Sequence, residues 1–178
     1  NRHQNKMEVL LANAKVGTIV PLYREENKYY IDESNLDNLV FLDNGTQFVI
    51  TSEKSGYMHL YLYDLNGRER QAITKGNFDI IDFYGYDPVR KLFYYSSYEE
   101  SPLEKYIYSI NEKGLKKKLT PVKGWNEASF SKNFNYYINV VSNTDTPPVT
   151  ALYNAKGKQV RVLEDNKAVK EAVKAYNL

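Results

Sequence analysis

The chain has 178 residues, of which 42% are hydrophobic and 26% charged, so its composition excludes whole-chain disorder and allows a sizeable buried core. Its 24 Lys and Arg residues nearly balance 22 Asp and Glu residues, and the formal charge of +2 gives little long-range attraction for nucleic acid or an anionic membrane surface. The absence of cysteine excludes disulfide scaffolds, Cys-ligated zinc, iron–sulfur clusters and thiol nucleophiles.

Tyrosine is the residue type that stands out. The chain has 17 of them, and tyrosine favours strands because its ring can be buried while its hydroxyl reaches water or a polar partner. We therefore expect an all-β protein. No apolar stretch approaches the roughly 18–20 residues that cross a bilayer, and residues 1–6 lack the apolar core of a signal peptide. We expect any targeting segment to lie outside this chain.

Residues 1–24 open the chain with two predicted strands, Met7 to Ala12 and Thr18 to Tyr23, joined at Val16 and Gly17. With no further strands before them, they correspond to the outer half of a four-stranded unit whose inner half is missing.

The rest of the chain repeats with a period of about 45 residues. Three apolar strands that end in serine align at this offset, at residues 48–52, 93–97 and 138–142. A second strand of each repeat carries Tyr63, Tyr108 or Tyr153. A turn follows with Gly67, Gly114 or Gly157, because glycine readily adopts the positive φ of a tight hairpin.

Each repeat contains four predicted strands, since a short apolar run precedes the aligned strand and a polar one follows the glycine turn. Four short antiparallel strands per 40 to 50 residues are typical of a β-propeller blade. We place blades at residues 39–74, 80–120 and 128–163. The outer strands, such as residues 68–71 and 116–118, are charged, which discourages pairing with other chains.

Residues 165–178 end the chain with a predicted helix or linker. Asp165 or Asn166 can cap this helix, and its apolar positions follow helical spacing at Val169, Ala172, Val173 and Tyr176. The predicted fold is thus an all-β partial β-propeller, with about three four-stranded blades, half a blade and a short C-terminal helix. Because propellers typically close with roughly four to eight blades, we expect the chain to be a fragment of a larger ring.

Several segments match a known family in order and at blade spacing. The segment Gln159 to Asn166 contains Val162-Leu163-Glu164-Asp165-Asn166 and follows Val149 to Asn154. Weaker matches are residues 1–6, 26–30, 55–61, 73–76 and 128–131. Together they resemble the C-terminal part of the β-propeller, the N-terminal region, of the dipeptidyl peptidase IV family of serine exopeptidases, in its Bacteroidetes-type form.

The resemblance implies a parent enzyme that is a periplasmic or secreted prolyl dipeptidyl aminopeptidase, with an eight-bladed propeller and an α/β-hydrolase domain. In such enzymes the propeller filters peptides by size and supplies a paired-glutamate clamp for the substrate amine. This chain would be the last half of the propeller, cut before the hydrolase domain. Its implied partners are the rest of the propeller, that hydrolase domain and, in the parent, a peptide substrate.

The chain lacks the residues of a serine hydrolase site. No G-x-S-x-G sequence occurs, and the two histidines are His3 at the start of the chain and His59, which we interpret as structural. We assign no catalytic, cofactor-binding or metal-binding residue, and predict that the isolated chain is not an enzyme.

Other polar and aromatic features have ordinary explanations. We interpret the acid pairs Glu25-Glu26 and Glu99-Glu100 as solvated loop residues, because the family clamp lies in an earlier blade. Asp43-Asn44-Gly45 is predicted to be a turn rather than a calcium loop. Trp125 is predicted to pack in the core rather than to stack on a sugar or peptide ring. The run Lys116 to Lys118 is predicted to be a solvated sheet edge.

The segment from Glu25 to Asn38 is the longest connection between predicted strands, and propellers often place binding residues there. By the resemblance, this connection lies near the substrate channel. We therefore predict that Tyr29, Tyr30 or Glu33 lines the lip of that channel.

An alternative is a binding propeller without peptidase activity, assembled from two or more copies of the chain. In either case an incomplete propeller exposes blade faces, so we expect a tendency to self-associate.

Overall fold

The computed structural model describes residues 2–32 and 37–174, and the chain divides into two compact units, residues 1–78 and 79–178. The described residues of the first unit form six strands: β1 Lys6–Ala12, β2 Ile19–Glu26, β3 Val40–Phe41, β4 Gln47–Ser52, β5 His59–Asp64 and β6 Glu69–Ala72. Strands β1 and β2 form a two-stranded antiparallel sheet, and β3 to β6 form a four-stranded antiparallel sheet in chain order.

The central strands of the four-stranded sheet are apolar because both of their faces are buried. Phe48, Val49 and Ile50 are consecutive in β4, and all three are completely inaccessible to solvent. Since successive side chains of a strand point to opposite faces, a strand of this kind reads as a continuous apolar run. The core of the unit combines residues of both sheets: Met7, Leu22, Tyr23, Ile31, Phe48, Ile50, Tyr61 and Tyr63.

The second unit, as far as it is described, to residue 174, contains two four-stranded sheets and a helix. Its strands are β7 Ile80–Asp87, β8 Leu92–Ser97, β9 Tyr106–Ile110, β10 Lys116–Lys118, β11 Trp125–Phe130, β12 Tyr136–Asn143, β13 Thr146–Asn154 and β14 Gln159–Glu164, followed by α1 Lys167–Lys174. Strands β7 to β10 form one antiparallel sheet and β11 to β14 the other, each in chain order. The predicted fold class, an all-β chain of propeller blades with a short C-terminal helix, is confirmed.

Aromatic rings fill the core of the second unit. Tyr94 stacks on Phe134 with 4.9 Å between ring centroids, and Tyr137 stacks on Tyr153 at 5.2 Å. The Tyr137 hydroxyl donates a hydrogen bond to the carbonyl oxygen of Leu119 at 3.1 Å. Stacked rings at these distances contribute beyond their buried area, so the abundant tyrosine serves as core material.

Both residues predicted as caps of α1 contribute to its start. The carbonyl of Asn166 accepts the backbone N–H of Lys170 at 3.0 Å, which makes Asn166 the N-cap by backbone geometry. The carboxylate of Asp165 accepts the backbone N–H of Lys167 at 3.1 Å. Of the predicted apolar positions of the helix, Val169 and Val173 are partly exposed, and Tyr176 lies outside the described residues.

Candidate functional site

Backbone hydrogen bonds hold the first half of the connection between β2 and β3 in place. The backbone N–H groups of Asn27 and Ile31 donate to the carbonyls of Asn5 and Gln4, at 2.9 and 2.8 Å. The Ile31 side chain belongs to the core of the first unit. Residues 28–30 therefore form a short projection held at both ends.

Two tyrosines lie on this projection. Tyr29 is 68% exposed and Tyr30 55% exposed, and the Lys28 ammonium lies 5.2 Å from the centroid of the Tyr29 ring. Rings presented on an anchored backbone can contact a peptide at little entropic cost, and their hydroxyls can hydrogen-bond to it. The third predicted lip residue, Glu33, lies outside the described residues, so the channel-lip hypothesis stays a prediction.

The first acid pair differs from the prediction of a solvated loop. Glu25 and Glu26 both belong to β2, and Glu25 is buried, with the Tyr23 hydroxyl donating to its carboxylate at 2.5 Å. Burial raises the pKa of Tyr23 well above its ordinary value, and the hydrogen bond to Glu25 raises it further. The prediction failed because the sequence does not reveal that the Glu25 carboxylate accepts a hydrogen bond from Tyr23 inside the core.

The second acid pair and the basic run are each other's partners. Glu99 binds the Lys116 ammonium at 2.5 Å and Glu100 binds that of Lys118 at 2.8 Å, while Lys117 donates to the carbonyl of Lys156 at 2.8 Å. The lysine beside it holds the pKa of Glu100 below its usual range. Glu99 is therefore not a simply solvated loop residue, because the sheet brings Lys116 against it. The prediction of a solvated sheet edge at Lys116 to Lys118 is confirmed, since β10 is the edge strand and Lys116 and Lys117 are exposed.

A related cluster in the first unit has the opposite polarity. Lys54 forms an ion pair with Glu69, and its ammonium lies 3.9 Å from the centroid of the Tyr61 ring. Lys54 and Glu99 occupy equivalent places in the repeat, since the backbone N–H of each donates to the hydroxyl oxygen of the serine two residues earlier, at 3.0 and 3.1 Å. An ion pair thus occurs at the same place in both repeats, Lys54 with Glu69 in the first and Glu99 with Lys116 in the second. The positive and negative residues have exchanged places.

His59 is a structural residue, as predicted. It is buried, its Nε2 lies 3.0 Å from the carbonyl oxygen of Gly76 and its Nδ1 lies 3.1 Å from the Thr74 hydroxyl. Because a carbonyl can only accept, Nε2 is assigned the proton. Both ring nitrogens are engaged in joining β5 to the segment after β6.

The predicted turn at Asn44 and Gly45 is also confirmed. Gly45 donates its N–H to the carbonyl of Leu42 at 3.0 Å, and the Asn44 side chain accepts the N–H of Thr46 at 3.0 Å. Within residues 2–32 and 37–174, no group of three or more His, Cys, Asp or Glu side chains is arranged to hold a metal ion. None of the helical residues described here forms a segment of the length and apolarity needed to cross a membrane.

Trp125 corrects a further prediction, because it is 41% exposed instead of buried in the core. Its indole N–H donates to a carboxylate oxygen of Glu127 at 3.2 Å, and the Lys105 ammonium lies 4.9 Å from its ring. Trp125 is the first residue of β11, an edge strand of its sheet, whereas the predicted blade began at residue 128. Sequence alone gives no sign of which face of an edge strand is covered.

The sequence of the chain matches a family model and is similar to those of several known proteins. A family model for the dipeptidyl peptidase IV (DPP IV) N-terminal region matches residues 1–148. Dipeptidyl peptidase 4 of Trichophyton rubrum is 30% identical over 156 residues, which cover 80% of this chain and 20% of that protein. Dipeptidyl peptidase 4 of Arthroderma otae is 29% identical over 195 residues, which cover all of this chain and 24% of the relative.

A solved structure agrees with them. The crystal structure of Porphyromonas gingivalis dipeptidyl peptidase 4 superposes with a TM-score of 0.92 at 39% sequence identity, over 98% of this chain and 25% of that one. The chain thus spans a quarter or less of the length of these relatives. Since the family model covers most of its residues, the chain belongs to the dipeptidyl peptidase IV N-terminal region family.

Proposed function

We propose that this chain is a non-catalytic part of the β-propeller of a serine-type prolyl dipeptidyl aminopeptidase. In this role it shapes substrate access and contacts an α/β-hydrolase domain that carries the catalytic triad. The observation that carries the proposal is the TM-score of 0.92 with a dipeptidyl peptidase 4 over 98% of the chain. Assay of the complete gene product on a chromogenic Xaa-Pro substrate tests it. Absence of turnover by the pure, folded product would contradict the proposal.

The projection of Tyr29 and Tyr30 is the proposed contact with peptide substrates, together with Glu33. In the complete enzyme, the double variant Tyr29→Ala, Tyr30→Ala should lower kcat/KM for peptides by roughly threefold to tenfold, mainly through KM. The reason is that the rings would bind the ground state and the transition state alike. Steady-state kinetics on peptides of increasing length measures the effect.

Tyr57→Ala is the matched control, since Tyr57 is another exposed tyrosine, in the turn between β4 and β5. It should leave kcat/KM unchanged. Equal kinetics for the double variant and the parent enzyme, on long and short peptides, would remove Tyr29 and Tyr30 from the channel lip.

Self-association is a second proposal, favoured by one face of the β11–β14 sheet. Tyr137 and Val141 of β12 are buried, whereas Tyr136 and Ile138, on the opposite face, are each at least 40% exposed. Large apolar side chains adjacent on one sheet face favour association with another surface. We expect the sedimentation coefficient of the 178-residue chain to rise with concentration, and Ile138→Lys to suppress the rise. A concentration-independent monomer would refute this proposal and the binding-propeller alternative with it.

A periplasmic or secreted location is proposed on the basis of the family resemblance. The absence of cysteine is compatible with it, because such a protein can fold without disulfides. Fractionation of the producing cells tests it, and recovery of the protein in the cytoplasmic fraction would exclude it.

A further inference from the structure

A cluster of charged and aromatic side chains in the second unit has no role in the function proposed above. It consists of Trp125 and Glu127 on β11, Asp82 on β7, and Lys105 immediately before β9. The Lys105 ammonium lies 3.2 Å from the Asp82 carboxylate and 3.7 Å from that of Glu127. Asp82 and Glu127 hold equivalent positions of the 45-residue repeat, on the first strands of successive sheets.

The backbone holds this cluster in place. Lys105 and Trp125 are joined by an isolated parallel bridge, in which Lys105 donates its N–H to Gly124 and accepts that of Asn126, each at 3.1 Å. The buried Asn126 side chain adds a bond to the Lys105 carbonyl at 2.9 Å. Because the backbone and the indole N–H are both fixed, the exposed part of Trp125 is a pre-organised aromatic surface.

The charged side chains of the cluster differ in their exposure to solvent. Lys105 is buried, whereas the side chains of Asp82 and Glu127 are 43% and 64% exposed. The Asp82 carboxylate also accepts the Ser96 hydroxyl at 2.6 Å, a neutral donor that leaves its charge in place. Two carboxylates against one ammonium leave one net negative charge beside the indole face.

These features together favour a cationic ligand. A cation is attracted both to carboxylates and to the face of an indole, and the buried Lys105 already occupies such a position from inside the protein. A guanidinium is the best match, because it is planar, stacks on aromatic rings and binds carboxylates with two parallel hydrogen bonds. A neutral sugar could stack on the indole, but it would gain little from the net charge.

We propose that Trp125, Glu127 and Asp82 form a binding site for an organic cation, of the kind carried by an arginine side chain of a peptide. Glu127 and Asp82 bind the guanidinium, and the exposed part of the indole packs against it. Lys105 forms an ion pair with both carboxylates, at 3.2 and 3.7 Å, and so keeps them near each other.

Trp125 is the only tryptophan in the chain, so its fluorescence reports on this site alone. The 178-residue chain is titrated with N-acetyl-arginine amide, and with N-acetyl-citrulline amide as the neutral isostere. We expect a saturable change in fluorescence with the arginine compound, and affinity for the citrulline compound lower by at least roughly tenfold. Methyl glucoside should give no response.

Variants separate charge recognition from general stacking. Glu127→Gln and Asp82→Asn should each weaken binding of the arginine compound by roughly fivefold to tenfold, whereas Glu112→Gln, in the β9–β10 turn, should not. Circular dichroism confirms that each variant is folded. The proposal is overturned by equal affinity for arginine and citrulline compounds, by a response to the sugar, by unchanged binding in Glu127→Gln, or by no response in the folded chain.

Discussion

A Gly124→Ala variant should lose about 3 kcal/mol or more of folding stability, which is a large fraction of the total for a domain of this size. Gly124 has a φ of 132°, in a region that residues with side chains rarely adopt, and an added Cβ would lie 2.3 Å from the carbonyl oxygen of Ser142. The backbone of β12 would have to move, and the bridge from Gly124 to Lys105 would move with it. Chemical denaturation, with the change in midpoint at constant slope, measures the loss.

Gly114→Ala is the control for this prediction. Gly114 has a φ of 79°, and no atom lies within 4 Å of the position of an added Cβ. It should therefore show only the cost of the left-handed backbone, about 1–2 kcal/mol. Equal losses for the two variants would show that the contact with Ser142 is not the limiting feature.

The second large effect is expected at alkaline pH. Burial raises the pKa of Tyr94 to about 12, from an ordinary value of 10.0, and raises the pKa of Tyr95, Tyr108 and Tyr137 further. In the unfolded chain these hydroxyls ionise near their ordinary value. The stability that the protonated tyrosines contribute is thus complete below pH 10 and is lost as pH rises through the folded values. We expect cooperative unfolding in this range, with tyrosine ionisation and circular dichroism changing together.

Two conservative variants test the cause. The Tyr95 hydroxyl is buried and makes no hydrogen bond, so Tyr95→Phe should leave neutral stability unchanged or slightly higher and move the alkaline transition upward. Tyr137→Phe also removes a buried hydroxyl, but it gives up the bond to Leu119 and should cost about 1 kcal/mol at neutral pH. Ionisation that precedes unfolding by a wide margin would contradict the assignment of the transition to buried tyrosine.

The sheets could be predicted because the repeat carries their signal three times. The runs at residues 48–52, 93–97 and 138–142 each fall within a central strand, β4, β8 or β12. Both faces of β4 and β8 are buried, which requires apolar residues in succession, and this requirement is visible in sequence. Gly67, Gly114 and Gly157 all have positive φ, as their turns demanded.

The polar residues could not be predicted in the same way. Whether Glu25 is solvated depends on Tyr23, which shares its face of β2, and whether Glu99 is solvated depends on Lys116, two strands away. The sequence predicts Trp125 in the core because an isolated tryptophan is more often buried than not. Its exposure follows from its place on an edge strand, which composition does not reveal.

The exchanged charges of two ion pairs give each sheet a distinct identity. If the outer strand β6 were to take the place of β10, Glu69 would face Glu99, and the reverse exchange would set Lys116 against Lys54. Like charges at such positions repel, so either exchange would be penalised. Repeats of similar sequence risk assembling with the wrong neighbour during folding. The reversal of the ion pair between successive blades thus favours pairing of each outer strand with its own sheet.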